Sequence, residues 1–293
     1  MHIKTNIINL QYQCIKLHKM PELAEVETLK NYLQKNIINE QIIDLKARRE
    51  NLRYPFNIKE MQQHVLAGRI INITRVAKFL ALGLDNHYSI IFHLGMSGRL
   101  TVKMSDYLLQ KHDHIIINFK SQRQLVFNDA RRFGMVYSCK TSELHKQSFL
   151  KNMGQEPLEN EFNAAYLLHK LSSKKMPIKT AIMDNKIVVG VGNIYAAESL
   201  FLAKINPLKQ ARTLQNIEVD NLVYSIKQVL NKAIKAGGTT LKDFVSGDNK
   251  PGYFQQELNV YDRSGQACYI CKHIIEKIKQ AGRSTCFCPK CQK

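Results

Sequence analysis

The 293-residue chain predicts an α+β protein in several parts: a β-sandwich or barrel flanked by a helix, then a helical domain, then a small metal-stapled hairpin. Three observations predict it. Eight short β-like runs crowd residues 41–139, helical spacing of apolar residues dominates beyond about 160, and two C-x-x-C pairs, Cys268/Cys271 and Cys288/Cys291, close the chain.

Nineteen residues rich in Ile, Asn, Lys and Gln precede Met20 and contain no acid. They lack the Arg and Ser of a transit peptide. The string Met20-Pro21-Glu22-Leu23-Ala24-Glu25-Val26-Glu27 looks like a protein start, so residues 1–19 are expected to be a leader absent from the mature chain. Position decides what Pro21 can do. Inside a chain its nitrogen is an amide; at a terminus it is a secondary amine. Terminal amines titrate near ~7.7–8.0, against ~10.4 for lysine, so roughly a tenth is unprotonated at neutral pH. Such an amine can attack an aldehyde-level carbon to give an iminium ion, with Glu22 moving the proton. The same string is also an ordinary helix start, with Pro in the first turn and Glu on the N-terminal dipole.

Residues 22–36 repeat Val26, Leu29 and Leu33 at helical spacing. The β-like runs follow at 41–48, 69–75, 78–84, 88–94, 99–104, 114–119, 124–128 and 134–139, punctuated by Asp85-Asn86 and Gly95. Residues 145–160, with Gly154 and Pro157, read as a linker. The clearest helix is 219–236, stopped by Gly237-Gly238. Upstream, Met183-Asp-Asn-Lys186 leads through Gly190 and Gly192 to a helix start at Asn193. Those glycines and amides suit a phosphate seat; a tight interhelical turn explains them as well. Lys174, Lys175 and Lys179 read as a solvated face.

The paired C-x-x-C spacing suits four thiolates closing one structural zinc site, with Cys286 a spare thiol and alternative ligand. Cys14 and Cys139 stand alone. Free thiols imply a reducing compartment. Between Cys268 and Lys293 lie five Lys, one Arg and one Glu, a net of +5, which suits a small hairpin built to touch phosphate. The whole chain carries +19 with 44% hydrophobic residues, the balance of a folded nucleic-acid binder rather than a disordered tail. No run approaches the ~20 apolar residues of a membrane span.

Taken together, these landmarks resemble the bacterial formamidopyrimidine-DNA glycosylases from Met20 to Lys293. Besides the Pro-Glu start and the cysteine pairs, the likeness rests on Arg75-Val-Ala-Lys78, His93-Leu-Gly-Met96-Ser-Gly98, Lys111-His112-Asp113-His114 and Asp129-Ala-Arg131-Arg132-Phe133-Gly134. It continues through Met183-Asp-Asn-Lys186 to Glu198, Gly237-Gly-Thr-Thr-Leu-Lys-Asp-Phe244 and Lys250-Pro-Gly-Tyr-Phe254.

The resemblance implies an N-terminal β-sandwich at 20–150, a helix–two-turn–helix domain at 151–257 and a zinc finger at 258–293. It implies excision of oxidised purines from duplex DNA, cleavage at abasic sites, one structural zinc, and a cytoplasmic monomer. Pro21 would be the nucleophile and Glu22 the group acting on the sugar-ring oxygen. Lys78, Asn193 and Arg283 would meet phosphates, His112 would bind DNA, and Met96, Arg131 and Phe133 would fill the gap left by a flipped base. Residues 239–254 would form a loop over that base, which favours the purine enzyme over its oxidised-pyrimidine sister. Ala24 stands where the family has proline, a change expected to have little effect. A chain that kept the leader would be a zinc-stapled DNA binder without the nucleophile.

Overall fold

The computed structural model describes residues 21–238 and 257–293; the expected leader and the 239–254 loop lie outside the described residues. Helix α1 (Leu23–Ile37) opens the fold and belongs to two cores. Its first residues, Leu23 and Ala24, are buried among the later helices. One turn on, Val26, Leu29, Leu33 and Ile37 are buried against the strands. Ala24 sits in the first turn, where proline would be tolerated as well.

The strands are β1 (Ile42–Ala47), β2 (Ile70–Val76), β3 (Phe79–Leu84), β4 (Tyr88–His93), β5 (Arg99–Met104), β6 (Asp113–Phe119), β7 (Arg123–Asn128) and β8 (Met135–Lys140). They form two antiparallel four-stranded sheets, ordered β1-β6-β7-β5 and β2-β3-β4-β8. Two separate sheets make a sandwich rather than a closed barrel. Leu45, Ile117, Leu125 and Phe127 of one sheet share a core with Ile73, Leu82, Ile90 and Phe92 of the other.

Helix α2 (Ile58–Val65) was not foreseen, although Asn57 caps it through Lys59 and Glu60 amides and Met61 and Val65 face inward. Its single apolar stripe is too short to stand out from the polar segment around it.

The segment read as a linker is packed. Two 3-10 turns, Thr141–Lys146 and Ser148–Leu150, place Leu144 and Leu150 on Ile91 and Cys139 of the second sheet. Gln155 then bridges to Val188.

The helical part comprises α3 (Ala164–Leu171), α4 (Ile178–Ile182), α5 (Asn193–Leu202) and α6 (Asn216–Lys235). The turn before α5 is closed by Asp184, whose carbonyl accepts from Ile187 N at 2.9 Å. A hairpin of β9 (Glu276–Gln280) and β10 (Arg283–Phe287) ends the fold. Among the described residues no helix is long and apolar enough to cross a membrane.

Candidate active site

Pro21 and Glu22 lie where the sandwich and the helices meet, and Glu22 is 3% exposed. Its carboxylate caps α5: Oε2 accepts from Gly192 N at 3.0 Å, and Oε1 from Ile194 N at 3.1 Å. The helix dipole and unpaired amides favour an anion at that end. A side chain therefore occupies the place read as a phosphate seat, which corrects that expectation. Glu25 steadies the arrangement, accepting from Glu22 N at 2.9 Å and from the Tyr195 hydroxyl at 2.6 Å. Burial raises the Glu22 pKa above the ordinary carboxylate value, opposed by the Lys78 charge and the α5 amides.

Lys78 follows Ala77 in a two-residue turn, since Val76 pairs with Phe79 across β2 and β3. Burial lowers its ammonium pKa, the Glu22 charge opposes that, and Arg283 adds to it. Arg283 is exposed and directly follows the Ala281-Gly282 turn, whose φ values are 45° and 77°. Such positive angles suit a tight hairpin turn. Two residues remote in sequence, Glu22 and Arg283, thus act in opposite directions on the Lys78 charge.

Asn193 heads α5 and ties it to β10, donating to Ser284 O at 3.0 Å. Its Oδ1 accepts from Lys179, which also donates to Thr285 Oγ1 at 2.8 Å. Lys179, read as solvated, is 1% exposed, and burial holds its pKa down to about 8. The reading failed because α4 turns this side chain inward beneath the hairpin. Lys175 is exposed, in keeping with that expectation. Tyr261 hydrogen-bonds Asn193 and senses the Glu22 charge.

A second cluster presents Met96, Arg131 and Phe133. The buried Asp129 carboxylate accepts from Ser97 Oγ and, at 2.7 Å, from Gly134 N, so the 94–98 and 129–134 loops are fastened together. Arg131 lies over the Phe133 ring at 5.1 Å, and Phe133 is 44% exposed, a large apolar side chain left in the open. Gly95 has φ +63°, and an added Cβ would lie 2.4 Å from the Phe133 carbonyl. His112 is half-buried beside this loop, and its carbonyl accepts from Asp129 N at 2.9 Å.

The sulfurs of Cys268, Cys271, Cys288 and Cys291 all lie within 4.8 Å of one another. Two pairs are 3.9 and 3.4 Å apart. A tetrahedron with Zn–S of ~2.3 Å has edges of ~3.8 Å, so the residues fit zinc. Cys286 stands outside this group, in the β10 ladder opposite Lys277.

Glu25, Tyr195, Lys179 and Tyr261 were missed from the sequence. Only Glu25 left a signal, the carboxylate three residues after a helix cap.

Family models match three segments of the chain. These are the formamidopyrimidine-DNA glycosylase N-terminal domain over residues 20–136, the H2TH domain over 153–245, and a zinc finger found in FPG and IleRS over 265–293. A formamidopyrimidine-DNA glycosylase of Rickettsia bellii is 52% identical over 274 residues, covering 94% of this chain and all of that protein. The chain belongs to the formamidopyrimidine-DNA glycosylase family. A Rickettsia conorii relative is 51% identical over 93% of this chain and 99% of its own length. Among solved structures, a Lactococcus lactis formamidopyrimidine-DNA glycosylase in complex with Fapy-dG-containing DNA superimposes with a TM-score of 0.87 at 34% identity, covering 93% of this chain and 100% of that one. Another from that organism, bound non-covalently to DNA containing an AP site, gives 0.85 at 33% identity, with 93% and 99% coverage. The family fold accounts for the sheet domain, the helical domain and the finger, and the finger holds one structural zinc.

Proposed function

We propose that Pro21, freed of the leader, is the nucleophile of this DNA glycosylase. The chain excises oxidised purines in base-excision repair, and abasic-site lyase activity goes with its family. One observation carries the assignment: the residue after Pro21 is a buried carboxylate, fixed by the α5 amides and raised in pKa.

In this reading the proline nitrogen forms a bond to C1′ while Glu22 protonates the ring oxygen and the C1′–O4′ bond opens. The nitrogen then gives up its proton to the base, its lone pair expels the base as the C1′–base bond breaks, and an iminium ion results. That cation acidifies C2′; loss of its proton expels the 3′ phosphate, and a second elimination expels the 5′ phosphate. Water then hydrolyses the iminium, releasing the unsaturated sugar aldehyde and free Pro21, and a one-nucleotide gap remains. Zinc holds the finger, and four protein ligands leave it no open position for chemistry.

Lys78, Asn193, His112 and Arg283 bind the backbone around the lesion, while Met96, Arg131 and Phe133 fill the space of the flipped nucleotide. Oxidised-purine preference covers 8-oxoguanine and formamidopyrimidines. The protein acts as a cytoplasmic monomer, with domains at 20–150, 151–257 and 258–293. Support for loss of residues 1–19 comes from the N-terminal family match, which begins at residue 20.

The test is borohydride trapping on duplex DNA with 8-oxoguanine, using the 293-residue chain and a chain whose Pro21 terminus is verified by mass. Only the shorter chain is expected to trap. Equal trapping by an unprocessed full chain would assign the nucleophile to another amine.

A further inference from the structure

The turn that presents Lys78 is held from outside its own domain. Ala77 has φ 54°, a left-handed conformation that non-glycine residues avoid. Its amide donates to Glu156 Oε1 at 2.6 Å, across 79 residues of sequence. The other oxygen, Oε2, accepts from Arg75 Nη1 at 2.8 Å, and that nitrogen also donates to Ala77 O at 2.9 Å. Arg75 Nε reaches Glu27 Oε2 of α1 at 2.6 Å, and Glu27 pairs with Lys30. Both polar groups of the Ala77 backbone are therefore tied, directly or through Arg75, to one carboxylate of the inter-domain connection.

We propose that Glu156 is a positioning residue for Lys78, fixing the strained Ala77-Lys78 turn that presents the ammonium. The job needs a carboxylate, because one oxygen holds the amide while the other holds the guanidinium. Arg75 is 7% exposed, and its charge is balanced within the cluster by Glu27 and Glu156. Without Glu156 the turn loses its amide acceptor, and an undercompensated guanidinium lies two residues from Lys78. This inference rests on the reading of Lys78 as a phosphate contact.

The experiment uses the full chain and a duplex with a stable abasic-site analogue, so no chemistry is required. Glu156→Ala, Lys78→Ala and the double variant are titrated between 50 and 200 mM salt. Exchange of the Ala77 amide is followed by NMR in 15N-alanine-labelled protein. Glu156→Ala is expected to lose protection at Ala77 and to flatten the log–log salt slope by about 0.9, as Lys78→Ala does. The double variant should match Lys78→Ala alone, because both changes remove the same contact. Glu156→Gln, which keeps one acceptor oxygen, should recover part of the affinity, and it carries the same readouts if the alanine variant fails to fold. Additive losses, or an unchanged slope beside a drop in Lys78→Ala, would overturn the proposal. An unchanged slope in Lys78→Ala itself would remove the phosphate reading instead. Ala77 exchange then decides the clamp: retained protection in Glu156→Ala rejects it, and lost protection sustains it.

Discussion

Glu22 and Gly192 meet with no room to spare: the carboxylate accepts from the glycine amide at 3.0 Å, and a Cβ at Gly192 would lie 2.2 Å from the carboxyl carbon. The chain thus uses the start of one domain's helix to hold the acid that sits at the start of another. The missing side chain of Gly192 is what lets the acid approach.

Gly192→Ala is expected to push Glu22 off α5 and slow base release by about 10²-fold, the lower range for a displaced acid–base group. Glu22→Gln should do the same, since an amide cannot supply the proton. Both variants should still bind an abasic-analogue duplex. Single-turnover excision against equilibrium binding checks this; a parallel loss of both would point to misfolding.

The pH dependence of excision follows from burial of Glu22. Excision needs the acid form of Glu22 and the free amine of Pro21 together. The rate should therefore rise with pH up to an apparent pKa above the ordinary carboxylate value, set by Glu22, and then level off until the terminal amine is free at ~7.7–8.0. Lys78 favours the charged form, so Lys78→Met should move that apparent pKa upward. A downward shift would contradict the pairing of these charges.

His93 is the group whose titration should appear in stability. Burial first, then the charges of Arg53 and Lys78, holds its pKa down to about 4. Nδ1 accepts from Gly95 N at 3.0 Å, a bond only the unprotonated nitrogen can make. Because the folded pKa lies below the unfolded one, the contribution is complete above about pH 6.5 and is lost as pH falls towards 4. At about 1.4 kcal/mol per unit, the loss is on the order of 3 kcal/mol at most. His93→Asn, which keeps an acceptor there, should flatten this part of the denaturation profile relative to the parent chain.

Cys268→Ser should reduce zinc from one per chain towards none and weaken DNA binding with it. The hairpin core is small, built around Val260, Ile275 and Phe287 with the cysteines themselves. The salt slope should drop by at least the ~0.9 expected for one phosphate contact at Arg283. Metal analysis and salt titration on the same sample decide it; full zinc retention would refute the ligand set.

Gly95→Ala should disable the presentation of Phe133 without touching Pro21. The substitution meets both a φ of +63° and a 2.4 Å contact with the Phe133 backbone. Excision from duplex DNA should fall at least about tenfold, whereas trapping on a pre-formed abasic site, which has no base to extrude, should fall less. Equal losses on the two substrates would remove the loop from base extrusion.

The order of parts was legible in the chain because it is written in local periodicity. Strand alternation fixed all eight strands of the sandwich, the repeat in 219–236 marked α6, and the C-x-x-C spacing marked the thiolate cluster. Turn and cap chemistry acts over three or four residues, so Gly237-Gly238 and the Pro-Glu start could also be read. The meeting of Glu22 with Gly192, of Ala77 with Glu156, and of Lys179 with Thr285 could not. These pairs lie 170, 79 and 106 residues apart, and each depends on how two separately formed units dock. The same lysine type is solvated at 175, before α4 begins, and buried at 179, on the side of α4 that faces the hairpin. Local sequence selects elements through short-range sterics and apolar period. Only tertiary packing decides which charges lose water and which opposite charge or dipole replaces it, and that exchange sets the chemistry of the site.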